Sequence, residues 1–145
     1  MKKLIFSLIL VAGILSCSSN DDNRNNTNPF LNVPPVNITL NLNLPEYNSL
    51  KFPSNSVIIG NQGIKGIVVY CINENLYTAF ELSDPNHTPS SCSKMTVIAP
   101  VATCECSDEN QYNIISGEHL SQDNTKYPMQ QYRAVREGDV INVYN

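Results

Sequence analysis

The 145-residue sequence has no tryptophan, only 6 glycines, and few charges, 15% of all residues. With 9 Lys and Arg against 13 Asp and Glu, the net charge is −4, and it becomes −6 once Lys2 and Lys3 are set aside. No basic surface remains to hold phosphates, which excludes nucleic acid as a partner. Polarity is carried mainly by uncharged amides, with 20 asparagines, so charge says little about other partners. No apolar run reaches the roughly 20 residues needed to span a bilayer. No window after the first apolar stretch repeats with a 3.6-residue period, which argues against amphipathic helices. A nucleophile elbow and a distinctive carboxylate pair are both missing, and no enzymatic activity is expected. The length fits one compact domain with appendages.

Met1-Lys2-Lys3 followed by an 11-residue apolar stretch, residues 4–14, has the form of an export signal. The stretch ends in Ile14-Leu15-Ser16-Cys17, which resembles the lipobox of bacterial lipoproteins. That resemblance implies cleavage after residue 16 and lipid attachment at Cys17, a membrane partner reached through acyl chains that each contribute about 0.8 kcal/mol per buried CH₂. Residues 17–35 are rich in Asn, Asp and Ser and read as a disordered tether. Asp21-Asp22, close behind the cysteine, resembles the surface-export signals of some Gram-negative lipoproteins. The expected location is the bacterial cell envelope, anchored at the outer membrane, with the face of that membrane left open.

The remaining residues, 36–145, read as one all-β domain. Val36, Ile38, Leu40, Leu42 and Leu44 alternate with Asn37, Thr39, Asn41 and Asn43, the period of a half-buried strand. Further strand signals lie at residues 57–59, 66–72, 76–80, 95–98, 101–104, 112–115, 127–129, 132–135 and 140–144, with turn residues between them. Short strands at such close spacing predict a small antiparallel sandwich or barrel with a loop subdomain.

The order of elements then becomes specific. A hairpin ending in Tyr77-Thr78-Ala79-Phe80-Glu81 is followed by the loop Asp84-Pro85-Asn86-His87-Thr88-Pro89-Ser90-Ser91-Cys92. A second loop, Cys104-Glu105-Cys106-Ser107, precedes Tyr112-Asn113-Ile114-Ile115-Ser116-Gly117. From residue 64 to the end the chain resembles a Rieske iron–sulfur domain, including a third loop before Tyr127-Pro128-Met129. In that family one loop carries Cys-x-His and the other Cys-x-x-His, and two thiolates and two imidazoles hold a [2Fe–2S] cluster. Carried over position by position, the resemblance puts Asp84 at the first cysteine and Asn86 at the first histidine, with His87 one step beyond. The second cysteine position holds Cys104 and the second histidine position Ser107. Shifting the first loop by one brings His87 into place but sets Pro85 at the cysteine, so the ligand set is incomplete and the expected cofactor is none. The resemblance also implies a Cys92–Cys106 disulfide clamping the two loops, a bond that persists in an oxidising compartment.

On the residues alone, the four cysteines after Cys17 allow three pairings. Cys71, between Tyr70 and Ile72, reads as a packing residue, with a second bridge to Cys104 as the alternative. His87, Cys92, Cys104 and Cys106 could otherwise form a Cys₃His zinc set, although the expectation is no metal. His119 reads as a solvated loop residue. The functional expectation is a lipid-anchored binding or structural module with an unidentified protein or small-molecule partner. A further reading is a subunit that docks onto a larger envelope assembly through the loop tips at residues 83–91. The alternative is an electron carrier that holds [2Fe–2S] or another metal through a non-standard set including Cys104 and His87.

Overall fold

The computed structural model describes residues 28–121 and 123–145. The expected signal segment, the lipid attachment at Cys17 and the first part of the tether lie outside the described residues. Among those described, the chain is all-β, and its only helical element is a 3₁₀ turn, Asn48–Lys51. The strands are β1 (Asn37–Asn41), β2 (Ser56–Ile59), β3 (Ile67–Asn73), β4 (Leu76–Glu81), β5 (Met95–Ile98), β6 (Val101–Cys104), β7 (Gln111–Asn113), β8 (Gln131–Glu137) and β9 (Val140–Tyr144). Six form a curled antiparallel sheet in the order β1-β9-β8-β4-β3-β2, and β5-β6-β7 form a second, smaller sheet.

The inner strand β3, between β4 and β2, explains how the two sheets share one domain. Its Ile67, Val69 and Cys71 face a core completed by Leu40, Tyr132 and Ile141. Val68 and Tyr70, on the opposite face, meet Met95, Ala102, Tyr112 and Ile114 from the smaller sheet and its turn. A strand covered on both sides needs apolar residues at every position, and the run Ile67-Val68-Val69-Tyr70-Cys71 supplies them. The Thr78 hydroxyl of β4 donates to the Ile114 carbonyl at 2.7 Å and ties the layers together.

Several boundaries differ from the sequence pattern, and side-chain amides are the recurrent cause. The alternation through Leu44 predicts a strand to that residue, but β1 stops at Asn41, where the Asn41 side chain accepts from the Asn43 amide at 3.0 Å and folds the chain into a turn. Leu42 stays buried while Leu44 is left 44% exposed. Asn113 ends β7 likewise, accepting from the Ile115 amide at 2.8 Å, so Ile114 and Ile115 lie in a turn rather than a strand. The segment 127–129 forms no strand.

Residues 28–35, grouped with the tether on composition, lie against the domain. The Asn28 side chain donates to the Pro85 carbonyl at 2.7 Å, Phe30 meets Tyr127 edge-on at 6.1 Å, and Val33 packs on the first core. Phe30 and Val33 supply the apolar contacts, in a stretch whose only polar side chains are Asn28 and Asn32.

Glu81, at the end of β4, is fully buried and has no basic partner among the described residues. Its Oε1 accepts from the Lys65 and Ser83 amides at 2.8 and 3.0 Å, and its Oε2 accepts from the Ile64 amide and the Tyr132 hydroxyl, both at 2.8 Å. Four donors substitute for a counter-ion. Gly63 makes this possible: its φ is +69°, and a Cβ there would run into the Glu81 carboxylate. Because Ser83 lies in the loop just after β4, this buried carboxylate also anchors the root of the candidate site.

Candidate functional site

The loop after β4 and the loop between β6 and β7 meet at the edge of the smaller sheet. They are covalently joined by a Cys92–Cys106 disulfide. Closing a loop of this length stabilises a fold by about 3 kcal/mol in the chain-entropy model. Cys71 and Cys104 are free and buried in opposite cores, on either side of the large sheet, so they cannot pair with each other. Cys71 donates its thiol proton to the Asn73 carbonyl at 3.3 Å and fills space, as its sequence context indicates. The Cys₃His zinc set is not available, since Cys92 and Cys106 are spent on each other.

Asp84 lies at the centre of the junction, fully buried. Its Oδ1 accepts from the Tyr112 hydroxyl at 2.7 Å and the Asn86 amide at 2.8 Å, and its Oδ2 accepts from the Asn110 side chain at 3.0 Å. Burial opposes the charge, but the hydrogen bonds from Asn110, the Asn86 amide, Tyr112 and Cys104 outweigh it and hold the carboxyl below its ordinary value. Burial and the Asp84 carboxylate together push the Tyr112 hydroxyl well above the usual tyrosine value.

Asn86 engages the third loop. Its side chain donates to the Tyr127 carbonyl at 3.0 Å and accepts from the Tyr127 amide at 2.9 Å, a reciprocal pair that fixes the segment before Pro128. A further bond runs from Asn86 to the Tyr112 hydroxyl at 2.9 Å.

His87 bridges the two loops. Its Nδ1 lies 3.4 Å from Asp84 Oδ2 and 3.6 Å from Cys104 Sγ, while its Nε2 lies 3.1 Å from Asp108 Oδ2. Lys126 approaches the same Asp108 oxygen at 3.9 Å. The Cys104 thiol is pushed up to about 12, by burial first and then by the nearby Asp84 and Asp108 carboxylates, although the Cys106 amide at 3.4 Å favours the thiolate. As a free group at neutral pH it is a protonated thiol.

The sequence-derived positions thus divide. Asp84, His87 and Cys104 converge, Asn86 looks away toward the third loop, and Ser107 is exposed on the surface. The residue that faces His87 from the second loop is Asp108, one step past Ser107, just as His87 is one step past Asn86. Sequence reasoning passed over Asp108, Asn110 and Tyr112, and only the matching one-residue offset in the two loops could have pointed to the first. His119 is no free loop residue: its Nε2 meets Asn110 Oδ1 at 3.1 Å and its ring packs edge-on to Tyr112 at 4.9 Å. The expected docking tip is also shorter than drawn, since residues 83–85 are buried and full exposure begins at Thr88.

No family model matches the chain, and no curated protein matches it. It is similar to the crystal structure of a protein described as a putative nitrite reductase NADPH (small subunit) oxidoreductase protein. The two are 12% identical, with a TM-score of 0.40, over 74% of this chain and 97% of that one. At that level the likeness carries nothing about residues or chemistry.

The donor set at the junction does not fit a [2Fe–2S] cluster. Such a cluster takes four protein ligands, and here one free thiol and one imidazole face each other at 3.6 Å. A sulfur and a nitrogen that close leave no room for a two-iron unit between them. In the register that uses His87, the other two positions carry Pro85, which has no ligand atom, and Ser107, turned to solvent.

Proposed function

We propose that this chain is a lipid-anchored protein of the bacterial cell envelope with a Rieske-like domain that lacks its iron–sulfur cluster and acts as a binding or structural module. The observation that supports it is the junction of the two loops. The bridge Cys92–Cys106 sits where the resemblance implies one, while two of the cluster-ligand positions, Asp84 and Asn86, are taken up by an internal hydrogen-bond network. A scaffold whose loops are held by a covalent bond and by a buried carboxylate needs no cluster to stay ordered. What remains for recognition is the exposed tip, residues 88–91, carried on a rigid base.

Iron and acid-labile sulfide analysis of the full chain, produced under conditions that support cluster assembly, tests the cluster-free part. The expected result is neither iron nor sulfide. Two irons and two sulfides per chain would overturn it and make the protein a redox carrier with a new ligand set. For the anchor, Cys17→Ser should leave the precursor unprocessed or release it to the soluble fraction. A variant still processed and membrane-bound would refute lipidation at that residue.

A further inference from the structure

The groups that converge at the loop junction, two carboxylates, an imidazole and a thiol, are all metal-ligand types. Asp108 Oδ2 lies 3.1 Å from His87 Nε2 and is an acceptor for a proton there. In that tautomer Nδ1 presents a lone pair toward Asp84 Oδ2 and toward the sulfur of Cys104. The ligand atoms of Asp84, His87, Cys104 and Asp108 all lie within 4.8 Å of one another.

Two of the three ligand–ligand spacings match one metal geometry. A tetrahedral zinc-type ion with metal–oxygen and metal–nitrogen bonds of about 2.0–2.1 Å and a metal–sulfur bond of about 2.3 Å separates its oxygen and nitrogen ligands by about 3.3 Å and its nitrogen and sulfur ligands by about 3.6 Å. The observed separations are 3.4 Å from Asp84 Oδ2 to His87 Nδ1 and 3.6 Å from His87 Nδ1 to Cys104 Sγ. The geometry points to a mononuclear site for a zinc-class divalent cation, held by Asp84 Oδ2, His87 Nδ1 and Cys104 Sγ, with Asp108 orienting the histidine through Nε2.

Each surrounding group has the role such a site requires. The carboxylate–histidine contact fixes tautomer and ring orientation, as behind most metal-bound histidines. Asp84 is held in turn by Asn110, Tyr112 and the Asn86 amide, and the Cys106 amide points at the Cys104 sulfur. One thiolate, one imidazole and one carboxylate select zinc over calcium or magnesium, which take oxygen ligands throughout. On binding, the Cys104 S–H bond is exchanged for a sulfur–metal bond and one proton passes to solvent. The cation also offsets the paired negative charges of Asp84 and Asp108, for which Lys126 at 3.9 Å is the nearby base. With three protein ligands the fourth position is open, and the site is within reach of solvent, since the His87 side chain is 29% exposed.

This inference rests on the cluster-free junction proposed above, and one experiment separates the two. The full chain, stripped with chelator and kept free of reductant so that the disulfide stays closed, is titrated with cobalt(II) as a spectroscopic stand-in for zinc. One equivalent should bind, with a sulfur-to-cobalt charge-transfer band and the intense visible bands of a tetrahedral ion, and zinc should displace it. Cys104→Ala should abolish the charge-transfer band, and His87→Gln should weaken binding about 10- to 100-fold or more. Cys71→Ala and the double variant Cys92→Ala/Cys106→Ala should retain the band. Circular dichroism checks that each variant is folded; if Asp84→Asn fails to fold, the Cys104 and His87 variants decide. No binding by the folded wild type, or a band that survives Cys104→Ala, would overturn this inference and leave the cluster-free reading standing. Iron bound with sulfide would overturn both.

Discussion

Replacing Glu81 by glutamine tests whether a buried carboxylate, with no cation beside it, organises the base of the site loop. Glutamine preserves size and one acceptor oxygen, but its NH₂ group must sit where two donors already converge. Whichever way the amide turns, either the pair Lys65 N and Ser83 N or the pair Ile64 N and Tyr132 OH loses its acceptor. A hydrogen bond to a charged group contributes about 1.5–3 kcal/mol, and the bonds kept become neutral and weaker, so the substitution should cost about 3–5 kcal/mol. That is a large part of the 5–15 kcal/mol expected for a whole domain. With an unfolding entropy near 2.1 cal/mol/K per residue and roughly 120 ordered residues, the melting temperature should fall by about 12–20 °C. Tyr132→Phe removes one donor and should cost about 1.5–3 kcal/mol. Urea unfolding of the three proteins at neutral pH measures both differences. A Glu81→Gln variant within 1 kcal/mol of wild type would refute the assignment of four stabilising bonds to this carboxylate.

Two further tests address the junction. The double variant Cys92→Ala/Cys106→Ala reopens the loop between the two cysteines and should lose about 3 kcal/mol, lowering the melting temperature by about 12 °C. An unchanged melt in chelator would show that the disulfide contributes nothing to this fold. Asp84 has a carboxyl held below its ordinary value, so its contribution is complete above the unfolded value near 3.9 and is lost as pH falls through the lower folded value. Asp84→Asn should therefore be less stable at neutral pH yet show a flatter acid limb than wild type. Parallel stability curves below pH about 4 would rule out Asp84 as a source of the acid sensitivity.

The strands were legible where burial alone decides them. Continuous apolar residues mark β3, whose two faces meet two cores, and alternation marks β1, whose outer asparagines remain exposed. Strand ends were not legible, because Asn41 and Asn113 stop their strands through side-chain bonds that periodicity does not register.

The site shows the same division. The Cys92–Cys106 clamp was legible only through the resemblance of the two loops to a known family, since the cysteines alone allow three pairings, and the environment of Asp84 depends on Asn110 and Tyr112, 26 and 28 residues away, where nothing local marks a polar side chain as buried. The two devices also join different parts. The disulfide ties the first loop to the second, whereas Asn86 ties the first to the third through Tyr127, and Asp84 supports both by holding the Asn86 amide and the Asn110 side chain at once. Breaking the disulfide should therefore loosen the tip at residues 88–91 and leave the third loop in place. Removing the Asp84 carboxylate should disturb both loops while the covalent bond remains intact. Hydrogen exchange at the Tyr127 amide distinguishes these outcomes: it should stay protected in the cysteine variant and lose protection in Asp84→Asn, because its acceptor, Asn86 Oδ1, is positioned through the backbone that Asp84 holds.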